Sequence, residues 1–388
     1  MKSIHKIVVA PDSFKGSLTS SEVARAVESG ILDIFPECEV TTVEIADGGE
    51  GTTDAVLKML GGETRKVFAH NPIGRLKEAC YAICVIDGTR TAVIEMAEAS
   101  GLTLLTSEER NPLNTSTYGT GEMIMDAYGQ GCRRFIIGLG GSATNDGGTG
   151  MLEAIGFRFK DKNNKAIERC CGGKLHDIVT IDGSDVPSDL MNSEFIVACD
   201  VDTRFCGEEG ATYLFAPQKG ADVHMTGLLE TGMESLSGII RRQYGIDLSE
   251  TPGSGAAGGA AGGLHALIGG RLVKGIDMLL DMADFEELIK DADLIITGEG
   301  KADFQTFKGK VPAGILKKAQ KYDIPVVCIC GVSEIDKETA IKAGFKEISA
   351  IQPRPSNDEE LTKAMLPETA SKNIRKTISE YLRTFSKI

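Results

Sequence analysis

The sequence predicts an α/β fold of two domains: a doubly wound parallel-sheet domain of the flavodoxin or Rossmann type, built from both chain ends, and an inserted mixed α/β domain. Three observations predict this. Short apolar strands alternate with amphipathic helices near the N-terminus, and the same alternation returns near the C-terminus. Such alternation is typical of a parallel sheet with helices on both faces. Between these parts, residues 66–113 carry alternating, hairpin-like runs with Asp87-Gly88 at a turn, which indicates antiparallel strands.

The N-terminal elements follow one another closely. Residues 7–10 form a short apolar run that predicts the first strand. Thr19-Ser20-Ser21-Glu22 fits a capping box, and apolar residues then recur on one face, which predicts a helix over 20–34. Residues 40–46 predict a second strand, and a helix over 53–60 follows a glycine-rich turn.

The C-terminal part repeats this order of elements. Pro312 suits the first turn of a helix, because its missing N–H has no partner there in any case. The predicted elements are strands over 293–297, 325–330 and 347–351, and helices over 312–322, 337–343 and 368–385.

The middle of the chain has a less regular pattern. Residues 115–158 are expected to form helix, strand and helix, centred on the apolar run 135–138, whereas 161–190 are polar and rich in loops. Residues 252–270 are almost all Gly and Ala. This stretch is open to two interpretations: a flexible linker, or tightly packed helix and loop backbone that lines a cleft.

The domain boundaries follow from where these patterns change. Residues 1–66 and 285–388 are expected to form the discontinuous, doubly wound domain, and residues 67–284 the inserted one. Ligands of open α/β sheets bind beyond the carboxyl ends of the strands. We therefore expect the active site beyond the carboxyl ends of the strands.

Composition narrows the classes of partner. The net charge of the 388 residues is −14 and no Lys/Arg-rich segment stands out, so we expect no nucleic-acid partner. There is no apolar run of about 18 residues, and the apolar core of the N-terminal segment is too short for a signal peptide. We therefore expect a cytoplasmic protein with no membrane partner. The ten cysteines contain no C-x-x-C pair and the five histidines no metal-spaced pair, which favours buried free thiols over a zinc site.

Four segments share one design: a strand end, then a small or glycine-rich turn with polar groups, then a helix. They are Asp12–Ser17, Asp47–Thr52, Gly140–Gly148 and Gly298–Asp303. Glycines let backbone N–H groups approach phosphates, and helix N-termini add partial positive charge. The carboxylates would repel phosphate unless Mg²⁺ lies between them, so the pattern indicates Mg²⁺-assisted phosphoryl transfer. Each segment alone could be an ordinary turn, with Lys15 solvated and Asp12 capping a loop; four together favour a shared active site.

Two segments imitate a dinucleotide-binding fingerprint. Gly138–Ala143 matches G-x-G-x-x-A after a strand, but no acidic residue stands at the tip of the next strand to hold a ribose. Gly253–Gly258 matches G-x-G-x-x-G but follows no strand. An NAD(P)-dependent oxidoreductase of a small hydroxy acid is thus an alternative with weak support. A Walker A motif is absent, so a kinase with this sequence is not a P-loop kinase.

Eight blocks spread over the chain carry a family resemblance. They are APDSFKGSLTSSEVA (10–24), ADGGEGT (46–52), NTSTYGTGEMI (114–124), GLGGSATNDGGTGML (138–152), ACDVDTRFCGEEGAT (198–212), FAPQKGA (215–221), GSGAAGGAAGGL (253–264) and TGEGKADFQTFKGKVPAGI (297–315). Together they resemble the bacterial glycerate kinase family, the non-P-loop type that phosphorylates D-glycerate at its 2-hydroxyl. Two departures are visible: Lys301-Ala302 stands where the family often has Arg and a larger apolar residue, and Asp202–Phe205 where it often has Asn-Pro-Leu.

The resemblance implies two α/β domains with the active site in the cleft between them, and the conversion of ATP and D-glycerate to ADP and 2-phosphoglycerate. Mg²⁺, which the four turns indicate, is the expected cofactor. Phosphorylation at the 3-hydroxyl and a non-catalytic, ligand-sensing member of the fold stay open as alternatives. The expected partners are the small molecules D-glycerate and ATP, and a homodimer is left open.

The site residues that we expect fall into three groups. The catalytic candidates are Lys15, Asp47, Asp200 and Glu299. The candidate Mg²⁺ ligands are Asp47, Asp146 and Asp200, of which Asp146 and Asp200 could instead accept the proton of the 2-hydroxyl. The substrate- and phosphate-binding candidates are Asp12, Ser13, Ser17, Gly48, Gly49, Glu50, Gly140, Gly141, Ser142, Thr144, Asn145, Lys301, Asp303, Gln305 and Lys310. Lys219 and Lys310 are second-rank anion ligands, since a lysine near a helix start is often only solvated.

Overall fold

The computed structural model describes residues 4–14, 16–45, 51–307, 309–353 and 355–385. The chain divides into two compact units. We call residues 1–47 with 276–388 the terminal unit, and residues 48–275 the inserted unit. The sequence places these boundaries at 66/67 and 284/285.

The strands are β1 (Lys6–Val9), β2 (Glu39–Thr42), β3 (Glu63–His70), β4 (Leu76–Ile86), β5 (Thr89–Glu95), β6 (Arg134–Gly138), β7 (Arg158–Lys160), β8 (Thr180–Asp182), β9 (Glu194–Ala198), β10 (Arg271–Val273), β11 (Leu294–Ala302), β12 (Val326–Ser333) and β13 (Glu347–Ala350).

The helices are α1 (Ser20–Leu32), α2 (Thr52–Leu60), α3 (Ala97–Ser100), α4 (Tyr118–Gly129), α5 (Thr149–Ala154), α6 (Ser188–Met191), α7 (Ala211–Phe215), α8 (Val223–Tyr244), α9 (Ala260–Ile268), α10 (Gly275–Met282), α11 (Phe285–Ile289), α12 (Val311–Gln320), α13 (Lys337–Ala343), α14 (Asp358–Met365) and α15 (Pro367–Phe385). Across the described ranges, none of these helices combines the length and the hydropathy that crossing a bilayer requires.

The terminal unit is built on a five-stranded parallel sheet in the order β13-β12-β11-β1-β2. Consecutive apolar residues of β1 point to opposite faces: Ile7 and Val9 join a core with α1 and α15, whereas Val8 joins one with α10, α11 and α12. A strand that is apolar on both sides belongs in a sheet covered on both faces. The predicted doubly wound fold from both chain ends is thereby confirmed.

The strand order of this sheet contains a topological switch point. From β1 the chain moves to β2 on one side, and from β11 it moves to β12 and β13 on the other. The direction therefore reverses between β1 and β11, which are neighbours in the sheet. In open α/β sheets a crevice forms at such a point, outside the carboxyl ends of the strands.

The first helix begins where its capping box predicts. The Thr19 Oγ1 accepts a hydrogen bond from the Glu22 N–H (3.3 Å), and Glu22 Oε2 accepts one from the Thr19 N–H (2.9 Å). The helix packs closely on α15, since a Cβ added at Gly30 would lie 2.8 Å from the Arg375 carbonyl oxygen. This packing joins the N-terminal and C-terminal segments of the terminal unit in one core.

One predicted turn is a strand. The sequence places a glycine-rich turn at Gly298–Asp303, but β11 continues to Ala302. Its residues pair in parallel with β12, which itself extends to Ser333; Glu299 stands opposite Cys330 and Lys301 opposite Val332. Because β12 is itself extended and pairs with this segment, the glycine-containing residues keep the strand conformation despite their turn-like composition.

The inserted unit contains a six-stranded mixed sheet in the order β10-β9-β6-β5-β4-β3. β3, β4 and β5 are antiparallel, whereas β5, β6, β9 and β10 are parallel. The hairpin between β4 and β5 turns at Asp87 and Gly88, whose φ angles are 50° and 75°. Two consecutive positive φ angles are typical of a type I′ turn, so the predicted antiparallel hairpin is confirmed.

The Gly/Ala stretch is part of the core of the inserted unit. A Cβ at Gly255 would lie 2.0 Å from the Arg204 carbonyl oxygen, and one at Gly258 would lie 2.1 Å from that of Thr144. Backbone packed this closely has no space for a side chain. The flexible-linker interpretation is therefore wrong, and the tightly packed helix-and-loop backbone is confirmed, with α9 beginning at Ala260; that this backbone lines a cleft stays a prediction.

The sequence analysis assigns no element to the segment that forms α8, a helix of 22 residues. Asp222 caps this helix by accepting a hydrogen bond from the Met225 N–H at 2.7 Å. Leu229, Met233 and Leu236 are buried at helical spacing. The cap and this spacing are signals from which the helix could have been predicted.

Candidate functional site

A cavity of ≈ 670 Å³ opens within the terminal unit at the carboxyl ends of its strands. It is lined by the loop after β1, the ends of β11 and β12, the segment after β13, and α14. This is the switch point between β1 and β11, where open α/β sheets bind their ligands. We call it the terminal-unit cavity.

The terminal-unit cavity brings together six residues predicted for the site: Asp12, Ser13, Ser17, Glu299, Lys301 and Lys310. They come from three separate segments of the sequence, so their convergence was not visible locally. Lys15, Asp47, Gly48, Gly49 and Glu50 lie outside the described residues, as does the side chain of Gln305.

The loop after β1 is held by backbone hydrogen bonds. The Asp12 N–H donates to the Gly298 carbonyl of β11 at 2.8 Å, and Asp12 Oδ1 accepts from the Ser13 N–H at 2.6 Å. Phe14 is buried and anchors the loop in the core. Ser17 Oγ is buried and has no hydrogen-bond partner among the described residues. An ordered loop thus presents a hydroxyl whose bonding capacity is unused.

Glu299 is buried at the wall of the terminal-unit cavity, with 3 % of its surface exposed. Its Oε2 lies 3.4 Å from Lys310 Nζ, whereas its Oε1 is buried and makes no hydrogen bond within the described part of the chain. Burial raises the pKa of the Glu299 carboxyl, while the Thr306 side chain and Lys310 oppose that rise. A buried oxygen without a partner costs free energy, so the site favours a ligand that supplies a cation or a donor.

Lys310 occupies the N-cap position of α12. In the described ranges no side chain caps this end of the helix, and Pro312 in the first turn has no N–H. The N-terminus of a helix carries partial positive charge and amides without partners. Together with the Lys310 ammonium, it forms a positively charged wall suited to an anionic group.

Lys301 lies at the exposed rim and is already engaged by carboxylates. Its Nζ is 3.1 Å from Glu334 Oε1 and 3.5 Å from Asp303 Oδ2. The hydrogen bond to Glu334 raises the pKa of Lys301. Its contact with Lys301, a residue of the cavity lining, places Asp303 next to the cavity. Lys301 is therefore a less available anion ligand than Lys310.

In the inserted unit, Asp146 is the centre of the predicted Gly140–Gly148 loop. It is fully buried, and its carboxylate accepts hydrogen bonds from the N–H groups of Thr117 (2.8 Å), Gly148 (3.1 Å) and Gly150 (3.3 Å). The Thr117 hydroxyl accepts from the Met151 N–H, so its own proton is donated to Asp146 at 2.8 Å. Burial raises the pKa of Asp146, while these four donors oppose that rise. The contacts favour a loop-anchoring role over the predicted Mg²⁺ ligation.

Lys219 completes this buried cluster. Its Nζ donates to Ser142 Oγ (2.9 Å) and to the Thr144 carbonyl (2.7 Å). Burial lowers the pKa of Lys219 to about 7, against the attraction of Asp146. The sequence ranks this residue second, because a lysine near a helix start is often only solvated. The neighbouring Gly220 is also closely packed, because a Cβ there would lie 2.2 Å from the Arg110 carbonyl oxygen.

The phosphate-binding amides predicted in this loop are only partly available. The Gly147 N–H donates to the Gly258 carbonyl at 3.0 Å, and the Gly148 N–H is held by Asp146. Gly140 and Gly141, at the start of the loop, are exposed. Thr144 Oγ1 and Asn145 Oδ1 are buried and lack partners among the described residues.

Asp200 follows β9 and is half-buried. Its Oδ1 accepts a hydrogen bond from the Gly275 N–H at 2.9 Å, at the start of α10. Over the ranges that the structure describes, no group of three or more His, Cys, Asp or Glu side chains is arranged to hold a metal ion. Mg²⁺ in phosphoryl-transfer sites usually has only one or two carboxylate ligands and takes the rest from phosphate and water.

Glu95 is a residue that the sequence analysis missed. It ends β5, is almost buried, and accepts hydrogen bonds from the N–H groups of Gly51 (3.2 Å) and Thr53 (2.8 Å). Its carboxylate thus occupies the N-terminus of α2, which the predicted Asp47–Thr52 turn precedes. An acidic residue at the end of a strand beside a glycine-rich turn is the signal in the sequence.

Neither segment that imitates a dinucleotide-binding fingerprint lies in the structural context that such a fingerprint needs. β6 ends at Gly138, but the next helix begins only at Thr149. A dinucleotide fingerprint opens a helix directly after the strand, so that the helix N-terminus meets the pyrophosphate. The second imitation, Gly253–Gly258, lies in the packed turns before α9.

The sequence profile of the glycerate kinase family matches residues 7–386. The chain belongs to the glycerate kinase family. It is 41% identical to the glycerate kinase of Halalkalibacterium halodurans over 373 residues, which cover 96% of this chain and 97% of that protein. It is 43% identical to the glycerate 2-kinase of Escherichia coli over 326 residues, 84% of this chain and 85% of that protein.

Among solved structures, this family member is similar to a crystal structure from Salmonella typhimurium that carries a provisional glycerate kinase 2 name. The TM-score is 0.83 at 38% identity, and the match covers 99% of both chains. The match supports the α/β fold described above over the length of the chain.

Proposed function

We propose that this protein transfers the γ-phosphoryl group of ATP to the 2-hydroxyl of D-glycerate. The hydroxyl oxygen forms a bond to the γ-phosphorus, the bond from that phosphorus to the β,γ-bridging oxygen breaks, and the hydroxyl proton passes to a base. The products are ADP and 2-phosphoglycerate. Membership of the glycerate kinase family supports the substrate, and the glycerate 2-kinase name of the Escherichia coli relative supports the position of transfer.

The observation that carries the proposal is the terminal-unit cavity. It lies at a topological switch point, and Lys310 with the N-terminus of α12 faces Glu299 there. Cations and preorganised N–H donors stabilise the charge that develops on a transferring phosphoryl group more effectively than a strong base does. We assign Lys310 to phosphate binding, with Ser17 Oγ as a further donor.

Magnesium fits the residues present in the terminal-unit cavity. Mg²⁺ takes oxygen ligands, and the buried Glu299 Oε1 has no hydrogen-bond partner in the described part of the chain. We propose that Glu299 holds the ion that accompanies the nucleotide, with Asp12 as the second candidate. When bound, Mg²⁺ supplies positive charge to the phosphate oxygens.

The residues of the inserted unit receive different roles in this proposal. Asp200 is the candidate for accepting the proton of the 2-hydroxyl. Asp146 and Lys219 hold the loop, while the exposed amides of Gly140 and Gly141 are the part of it proposed to contact an anion.

Steady-state kinetics of ADP release that depends on D-glycerate test this proposal. We expect Lys310→Met to lower kcat/KM about 10²-fold, because a cation that contacts the phosphate is lost. Glu299→Gln is expected to weaken Mg²⁺ activation. The matched control is Lys317→Met: Lys317 lies on the same helix but pairs with Asp277 at 2.9 Å outside the cavity. Equal kinetics for both lysine variants would remove Lys310 from the site.

A further inference from the structure

The terminal-unit cavity has two chemically different walls. One carries the charged groups Asp12, Glu299 and Lys310. The second wall, formed by the segment after β13 and by α14, contributes the apolar residues Ile351, Pro355, Leu361 and Met365 beside the polar residues Gln352, Ser356, Asn357 and Asp358. Phosphoryl chemistry needs only the first wall. The apolar side chains of the second wall are suited to a ligand with an apolar part.

The two walls are in direct contact. A Cβ added at Gly16 would lie 2.9 Å from Met365 Cε, so α14 packs on the loop that carries Ser13 and Ser17. Asn357 fixes the start of α14, because its Oδ1 accepts from the Glu360 N–H at 2.9 Å. A ligand whose charged end contacts the loop after β1 would thus extend onto α14 without leaving the cavity.

Gln352 provides a polar group on this wall. Its Oε1 accepts a hydrogen bond from Asn373 Nδ2 at 3.1 Å, which fixes the orientation of the amide. The amide nitrogen of Gln352 makes no hydrogen bond within the described residues 309–353 and 355–385. That nitrogen is available to donate to a ring nitrogen or carbonyl of a ligand.

We propose that the apolar wall of Ile351, Pro355, Leu361 and Met365 is the nucleobase subsite, which holds the adenine ring of ATP while the triphosphate extends to Lys310. This inference rests on the proposed function. D-Glycerate has a carboxylate, two hydroxyls and three carbons, and offers no apolar face to these side chains. Adenine has two, and the cavity volume of ≈ 670 Å³ lies within the range of roughly 300–1,000 Å³ that small-molecule sites occupy.

Leu361→Ser tests the subsite, since Leu361 is 41% exposed and its loss leaves the core intact. Ile341→Ser is the matched control, because Ile341 is a 53% exposed aliphatic residue of α13 outside the cavity. Calorimetry on the full chain measures the Kd of Mg-ATP and of Mg-tripolyphosphate, which lacks the base and ribose. We expect Leu361→Ser to weaken Mg-ATP binding about fivefold to tenfold and to leave tripolyphosphate binding unchanged. The control should change neither.

The outcomes separate the subsite from the proposed function. Unchanged Mg-ATP affinity in Leu361→Ser, with wild-type protein still forming phosphoglycerate, overturns the subsite alone. An increase in the KM for D-glycerate with the KM for ATP unchanged also overturns it, because the wall would then bind the acid. Weakened ATP binding in a protein whose wild type forms no phosphoglycerate supports the subsite and refutes the proposed reaction.

Discussion

Asp146 is expected to be essential for stability. Asp146→Ala leaves the N–H groups of Thr117, Gly148 and Gly150 and the Thr117 hydroxyl without their acceptor, in a region with no exposed surface at Asp146. Each buried donor left unpaired costs about 1–3 kcal/mol, and such losses are not additive within one cluster. Lys219 also loses a neighbouring charge. Since four donors lose their acceptor and their losses are only partly additive, we expect a loss of about 4 kcal/mol.

Thermal unfolding followed by circular dichroism measures this loss. In a unit of this size each kcal/mol lowers Tm by ~2–4 °C, so Asp146→Ala should melt about 10 °C below wild type. Asp161→Ala is the control: Asp161 accepts hydrogen bonds from the N–H groups of Asn163 (2.8 Å) and Lys165 (2.9 Å), but at the exposed surface. It should melt near wild type.

Two results would refute the reasoning about Asp146. A melting temperature close to wild type would mean that the loop does not depend on the carboxylate. Normal melting together with lost Mg²⁺ activation would instead favour the metal-ligand role predicted from sequence.

Three further predictions concern the inserted unit and the metal. Burial lowers the pKa of Lys219 to about 7 from its ordinary 10.5, so above pH 7 the unfolded state binds more protons than the folded state. In urea titrations, the stability of wild type relative to Lys219→Met should therefore rise from pH 7 to pH 9; a flat or falling difference contradicts this. Gly258→Ala should lower the free energy of unfolding by ~1–3 kcal/mol more than Gly269→Ala does. The φ angle is positive at both glycines (66° and 71°), but only at Gly258 would the added Cβ meet a carbonyl oxygen, that of Thr144 at 2.1 Å. Equal losses in denaturant titrations would refute the clash. Excess EDTA should abolish phosphoryl transfer and Mg²⁺ should restore it, because a protein of net charge −14 needs a cation to bind the polyanionic ATP. Full turnover in EDTA contradicts this need for a cation.

Much of the fold could be predicted because its signals are local. The capping box of Thr19 and Glu22, the apolar strand over 7–10 and the Asp87-Gly88 turn each act within a few residues. Strand–helix alternation at both chain ends then leaves a doubly wound sheet as the consistent arrangement. The end of β11 was mispredicted, because its conformation depends on β12, which lies about thirty residues further along the chain in the parallel pairing.

The candidate site was predicted in composition but not in detail. Glycine-rich turns mark where a chain approaches a ligand, and they led to Asp12 and Glu299, whereas Lys310 was only a second-rank candidate. The burial of Lys219 depends on contacts with residues 142–144, which no local pattern encodes. No element was predicted for the segment that forms α14, so its apolar side chains were not assigned to the site.

The most direct test of the account identifies the product. Full-length protein incubated with ATP, Mg²⁺ and D-glycerate is followed by ³¹P NMR, which distinguishes 2-phosphoglycerate from 3-phosphoglycerate and from inorganic phosphate. We expect the loss of the ATP γ-phosphate signal to be matched by 2-phosphoglycerate, and no such product with Lys310→Met on the same timescale. Accumulation of 3-phosphoglycerate would contradict the proposed position of transfer, and inorganic phosphate alone, or unchanged ATP, would contradict the proposed reaction.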